Sequence, residues 1–199
     1  PPPETKLTIL QKTIETLGAA GYKFIGMDHF AKPHDELAVA QQNGVLHRNF
    51  QGYCPRRITA QVYAFGVSGI SQLDGAYAQN TKDIAAYIAT IDEGKLPIVK
   101  GYALAPWQRI AREVIECMMC NHTILWEEMA AHLRCSVADI QQAIVYDETL
   151  LSTMQEDGLL VFDAHSVRCT PEGMPFVRNI AAAFDPMMRN NEKLFSKPV

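Results

Sequence analysis

The sequence predicts two units in series, an α/β part over residues 1–103 followed by a mainly α part over 104–199. Three observations predict it. A helical period, a glycine and a dense apolar run open the chain, which is the α-to-β half of a βα repeat. Near residues 100–105 the pattern changes, and only short helices and one hairpin follow. The order of that second part, three helices, a hairpin and a closing helix, is winged-helix-like.

Leu7, Leu10, Ile14 and Leu17 recur at helical spacing between the opening prolines and Gly21, giving an amphipathic helix over residues 4–20. Residues 22–30 are too few for a lone helix and aromatic enough for a buried strand. Asp28 and His29 stand at its C-terminal end, where barrels and open sheets present their chemistry. They read either as a general acid/base pair or as a hydrogen bond that fixes a strand end. As neighbours on a regular strand they point to opposite faces, so one lines a cavity and the other is structural. Pro33 leads to a short helix over 35–43 that Gly44 terminates.

Leu46-His47-Arg48-Asn49-Phe50-Gln51-Gly52-Tyr53 interleaves cations and amides with aromatics, the mixture expected of a site wall. Residues 58–71 are β-branched, aromatic and small with two glycines, a second buried strand whose backbone something approaches closely. Asn80 or Thr81 caps a helix through Asp92, with Ile84, Ile88 and Ile91 on one face. Residues 96–101 form an extended connector. Pro106 then starts a helix with the face Trp107, Ile110, Val114, Ile115 and Met118, and a shorter helix covers 126–133. Ser136, with Asp139 three residues on, starts a third that carries Val137, Ile140, Ile144 and Leu151. Residues 159–170 form a hairpin, and Thr170-Pro171-Glu172 opens a last helix to residue 190, kinked at Pro186. Trp107, Ile110, Ile140, Ile144, Val161 and Phe176 are the expected core of the second part.

With 48% hydrophobic and 20% charged residues the composition is that of an ordinary soluble globular protein. The net charge of −4 argues against nucleic acid or an anionic membrane as partner, and no apolar run reaches the length of a membrane span. A DNA-reading third helix would be basic, whereas residues 136–157 hold Asp139, Asp147, Glu148, Glu156 and Asp157 with no Lys or Arg. Five scattered cysteines do not make a disulfide framework. Cys117 and Cys120 form a CxxC, with His122, His132 and Cys135 nearby, but they sit in an apolar helical period without a second pair. Buried reduced thiols in a cytoplasmic protein are expected there, and no metal site.

The words GMDHFA (26–31), DELA (35–38) and LHRNFQGY (46–53) resemble a late-barrel segment of the oxygen-independent coproporphyrinogen III oxidase family, radical S-adenosylmethionine enzymes of haem synthesis. GVSGIS (66–71), AQN (78–80), CN (120–121), DGL (157–159) and VRNI (177–180) continue the resemblance in register. The family's Cys-x-x-x-Cys-x-x-Cys word is absent from these 199 residues, and Pro1 replaces a starting Met. The resemblance therefore implies the C-terminal part of such an enzyme: late βα units of a partial (β/α) barrel over 1–103 and a winged-helix-like cap over 104–199.

It further implies that a 4Fe-4S cluster on upstream cysteines cleaves S-adenosylmethionine. The 5′-deoxyadenosyl radical so formed drives oxidative decarboxylation of coproporphyrinogen III to protoporphyrinogen IX. Ile70 matches the family residue that lies against adenosylmethionine. His47 and Arg48, with Asp28 and His29, stand on the substrate side, where a tetracarboxylate needs cations and Arg can grip a carboxylate with two parallel bonds. Arg56 and Arg57 extend the same basic rim. Cys54-Pro55-Arg56-Arg57 and Ala64 depart from the family's Thr pair and from the first Gly of a glycine word. The alternatives are a paralogue acting on another tetrapyrrole and a non-catalytic winged-helix interaction module.

This chain alone is expected to be inactive. A barrel cut open leaves an unpaired apolar edge, a template for pairing with another chain. Sedimentation over a concentration series should show residues 1–199 self-associating while a piece from residue 104 onward stays monomeric. A monomeric full chain would contradict this.

Overall fold

The structure is a computed structural model that describes residues 2–55 and 61–189. Arg56 and Arg57, the start of the 58–71 run and residues 195–199 lie outside the described residues. Proline opens α1 (Pro3–Ala19) as expected, and no residue of this helix is buried. The apolar run after Gly21 is not one strand. It folds into a hairpin of β1 (Lys23–Gly26) and β2 (His29–Ala31), with Phe24 opposite Phe30. The cause is local: Gly26 at φ 151° and Met27 at φ 53° reverse the chain and leave Asp28 in the turn. The βα reading of this segment is corrected with it, because β1 finds an antiparallel partner next door.

Asp35 caps α2 (Glu36–Gln42) by accepting from Leu37 N. β3 (Leu46–Asn49) and β4 (Gly52–Pro55) form a second hairpin with Arg48 opposite Tyr53. The 58–71 run is not a single strand either. Val62 makes an isolated bridge to Gln72, and the chain loops through Gly66 and Ser68, both at positive φ, into β5 (Ile70–Gln72). β5 pairs with β6 (Ala76–Asn80), which pairs with β7 (Ile98–Ala103), so the expected connector is the third strand of an antiparallel sheet. Between β6 and β7, α3 (Ile84–Asp92) is capped by Asp83 rather than by Asn80 or Thr81. Asn80 instead donates to Gly66 O at 2.9 Å and holds the loop.

Three helices follow, α4 (Pro106–Asn121), α5 (Trp126–Leu133) and α6 (Val137–Ala143), with β8 (Thr123–Leu125) between the first two. The expected third helix ends early because Val145 sits at φ 51°, and α7 (Glu148–Glu156) carries the remainder. β9 (Leu160–Phe162) and β10 (Ser166–Cys169) are the predicted hairpin, and β8 pairs with the outer side of β10. The last helix starts later than predicted. Gly173 passes so close to Leu159 O that an added Cβ would lie 1.8 Å from it, and a 3-10 turn (Met174–Phe176) precedes α8 (Val177–Ala182) and α9 (Pro186–Arg189).

Val114 and Met118 turn one face of α4 into a core completed by Trp126, Ile140, Ile144, Leu160, Ile180 and Phe184. Trp107 and Val161, expected in that core, are 41% and 50% exposed. The same cluster continues through Met119 and Cys120 to Tyr53, Leu46 and Ile25, so buried apolar surface runs across residue 103 without a break. Among the described residues no helix is long and apolar enough to cross a membrane.

A helix C-terminus leaves carbonyls without intrahelical partners. In α4 these are taken up from elsewhere: Tyr53 Oη donates to Met119 O at 3.2 Å and Gln41 Nε2 to Cys120 O at 2.9 Å. His122, the left-handed C-cap, donates its N–H to Met118 O and accepts at its own carbonyl from Cys169 N. Gly26 makes the Tyr53 contact possible, since a Cβ there would meet the hydroxyl at 2.6 Å.

Burial lowers the pKa of His122 from 6.5 to about 4. Its neutral form is the folded one, so the stabilisation is complete above pH 6.5 and is lost as pH falls toward 4, where only the unfolded chain takes up the proton. The full effect is about 3 kcal/mol. Chemical denaturation of the wild type and His122→Asn at several pH values should show the variant lacking this acid limb, Asn being tolerated at positive φ. Parallel pH dependences would contradict it.

Candidate functional site

The second face of α4 carries Trp107, Arg112, Glu116 and Met119. Opposite it stand Arg48 from β3, Phe50 from the β3–β4 turn, Gln72 from β5 and the paired Tyr77 and Tyr102 of β6 and β7. Together they enclose an open cleft of about 370 Å³. Phe50 and Tyr77 meet edge to face at 5.6 Å, closing the hairpin against the sheet. Polar pins set the width: Arg112 Nη1 donates to Leu73 O at 3.2 Å, Arg109 pairs with Asp74, and Gln108 Nε2 donates to Tyr102 Oη at 2.6 Å.

The electrostatics of the cleft are unusual for a structural seam. The Nε atoms of Arg48 and Arg112 are buried with no hydrogen-bond partner among the described residues. Leaving a buried donor unsatisfied costs about 1–3 kcal/mol, and more for a charged group, so such atoms call for a ligand or another explanation. Arg48 stands over the Tyr53 ring, 5.8 Å from its centroid, and Tyr53 has its pKa raised, chiefly by burial.

Of the residues expected from sequence, Arg48 is in the cleft and His47 is not. His47 is only 4% exposed and hydrogen-bonds through Nδ1 to the Glu116 carboxylate, which has 11% of its side chain exposed. Asp28 and His29 are bonded to each other at 2.8 Å, so they do not point to opposite faces: Asp28 lies in a turn. His29 packs edge-on against Tyr53, ring centroids 5.0 Å apart, and neither residue lines this cleft. Ile70 opens β5 and lines a shallow neighbouring groove that shares Phe50, Tyr77 and Tyr102 with the cleft.

Cys117 and Cys120 face inward on α4. The Cys117 thiol donates to Thr123 O at 3.1 Å, and burial raises the pKa of Cys120. All five cysteines are unbridged, and no three His, Cys, Asp or Glu side chains among the described residues converge as a metal site would require. The residues present thus do not fit an iron–sulfur cluster.

Sequence reading missed Arg112, Glu116, Tyr77 and Tyr102. A signal for the first two existed. Trp107, Ala111, Ile115 and Met119 form a second apolar stripe on α4 beside the core stripe, and Arg112 and Glu116 adjoin it at helical spacing. The two tyrosines carry none, because the β6–β7 register alone brings them side by side.

Residues 104–176 match the family model described as HemN C-terminal domain. Over 202 residues the chain is 40% identical to the oxygen-independent coproporphyrinogen III oxidase of Synechocystis sp., covering all of this chain and 43% of that protein. It is also 40% identical over 194 residues to the enzyme of that name from Escherichia coli, covering 98% of this chain and 42% of that protein. A solved structure described as coproporphyrinogen III oxidase (HemN) from Escherichia coli, a radical SAM enzyme, superposes with a TM-score of 0.83 over 94% of this chain and 42% of that one. By sequence and by fold the chain is similar to these oxygen-independent coproporphyrinogen III oxidases, and it spans about two fifths of their length.

Proposed function

We propose that the chain is the C-terminal part of a cytoplasmic oxygen-independent coproporphyrinogen III oxidase, and that its cleft seats propionate carboxylates of coproporphyrinogen III. The carrying observation is the pair of unpartnered guanidinium Nε atoms in an aromatic-walled cleft. A propionate carboxylate satisfies such donors, and apolar macrocycle edges suit Phe50, Tyr77, Tyr102 and Trp107. In this reading adenosylmethionine on an upstream cluster supplies the hydrogen-abstracting radical when bound. The described residues act by holding carboxylates and by presenting apolar walls that exclude water. Ile70 offers an apolar contact for adenosylmethionine in the adjoining groove. His29 and Asp28 act behind the site, steadying Tyr53 and hence Arg48.

The matched HemN C-terminal segment begins at residue 104, which supports a division there into a barrel-side part and a winged-helix-like cap. The three helices α4 to α6 and the β8-β10-β9 sheet support the cap reading. All described strand pairs are antiparallel, so residues 1–103 flank the parallel barrel sheet in this reading rather than complete it. Ile84, Ile88 and Ile91 on α3 and Val99 on β7 are exposed, as surface awaiting the upstream part is expected to be.

In the intact enzyme Arg48→Ala should weaken substrate binding by about 1.5–3 kcal/mol, the worth of a charge-assisted hydrogen bond, while adenosylmethionine binding changes little. Anaerobic titration of both ligands measures this. Equal losses for the two would assign Arg48 to folding instead.

A further inference from the structure

Two cations do not complete the polar inventory of the cleft. Glu116 also lines it, almost buried, one helical turn from Arg112. Its Oε1 accepts from His47 Nδ1, and its other oxygen has no partner among the described residues. Asp185 is the remaining acid of the cleft, and its Oδ1 is taken by Met187 N. Glu116 is thus the one cleft carboxylate that is both immobilised and left with an oxygen to offer.

A ligand bearing only carboxylates gains at Arg48 and Arg112 but meets Glu116 as a like charge. A ligand bearing carboxylates and an N–H donor meets both: its anions face the guanidinium groups and its N–H faces Glu116. A carboxylate can only accept, so Glu116 rewards a donor and penalises a group without one. His47 lies outside the cleft and fixes where the acceptor stands. Its ring is buried and does not line the cleft. Burial of the pair keeps water from competing for the bond.

We infer that Glu116, positioned by His47, is a specificity-determining acceptor for a pyrrole N–H of the ligand whose carboxylates Arg48 and Arg112 hold. This rests on the carboxylate-cleft reading and adds what that reading leaves open: how the site tells a pyrrole-based acid from any other polycarboxylate. The porphyrinogen class fits, since each of its rings carries an N–H together with acidic side chains.

The test uses the full chain and two small probes, a pyrrole bearing two propionate side chains and its N-methyl derivative. Both carry the same carboxylates, and only one has the N–H. Binding is followed through the fluorescence of Trp107, which lines the cleft. The wild type should bind the N–H probe about tenfold more tightly than the N-methyl probe. Glu116→Met should erase that preference, and Glu116→Gln, which keeps the shape and a weaker acceptor, should reduce it to about threefold or less. His47→Phe should reduce it and His47→Gln, which can still donate to Glu116, should restore it. Arg48→Met should weaken both probes by the same factor and leave the preference intact. Circular dichroism identifies any variant that fails to fold, and Glu116→Gln then decides. An unchanged preference in either Glu116 variant overturns the inference, as does a wild type that binds both probes equally. If neither probe binds, or if Arg48→Met is without effect, the carboxylate reading itself fails, a result distinct from the first two.

Discussion

The fold hangs on how the C-terminal end of α4 is satisfied. Its last carbonyls sit in the interior, where an unbonded acceptor costs stability and no solvent is at hand. Tyr53 reaches Met119 O from β4, Gln41 reaches Cys120 O from α2, and Cys169 reaches His122 O from β10. Three distant stretches thereby converge on one helix turn. Gln41 extends the arrangement with a second bond to Ile25 O at 2.7 Å, fastening β1 to the same point. These contacts explain why a chain with few continuous elements buries a single cluster on both sides of residue 103.

The cleft follows from that anchoring. With the C-terminal end of α4 fixed by Tyr53 and Gln41, its other end is held to the β5–β7 sheet through Arg112, Arg109 and Gln108. The gap between these attachments is walled by β3 and the sheet, and Arg48, Arg112 and Glu116 are brought together in it. Arg48 lines the cleft, and its neighbour His47 is buried against the Glu116 carboxylate. One short strand therefore carries both a cleft-lining cation and the hydrogen-bond partner of the Glu116 carboxylate. Ile84, Ile88 and Ile91 of α3 take no part in this packing and remain exposed.

Legibility in the sequence tracked how local each cause was. Helix periods with proline or capping residues at their starts were readable, as with α1, α4 and the Ser136 start of α6. A cation among aromatics has few structural uses, and Arg48 does line the aromatic-walled cleft. Positive-φ residues with side chains were not: Met27 and Val145 break expected elements, and nothing in a methionine or a valine announces a left-handed turn. Asp83 displaced Asn80 as the α3 cap because Asn80 is committed to the Gly66 loop, a contact 14 residues away. The position of His47 outside the cleft has the same kind of cause. Its partner Glu116 lies 69 residues along the chain, and sequence offers no sign of that pairing. The family words, by contrast, fell on the hairpin that walls the cleft.

In the proposed function, this cleft recognises the acid groups of a tetrapyrrole. The most direct measurement is titration of the chain with coproporphyrin III and with its tetramethyl ester, following Trp107 fluorescence and using Trp107→Phe as the control for the buried Trp126. Binding of the free acid with quenching that disappears in Trp107→Phe, and little binding of the ester, is expected. Equal binding of acid and ester, or quenching that survives the loss of Trp107, would contradict it.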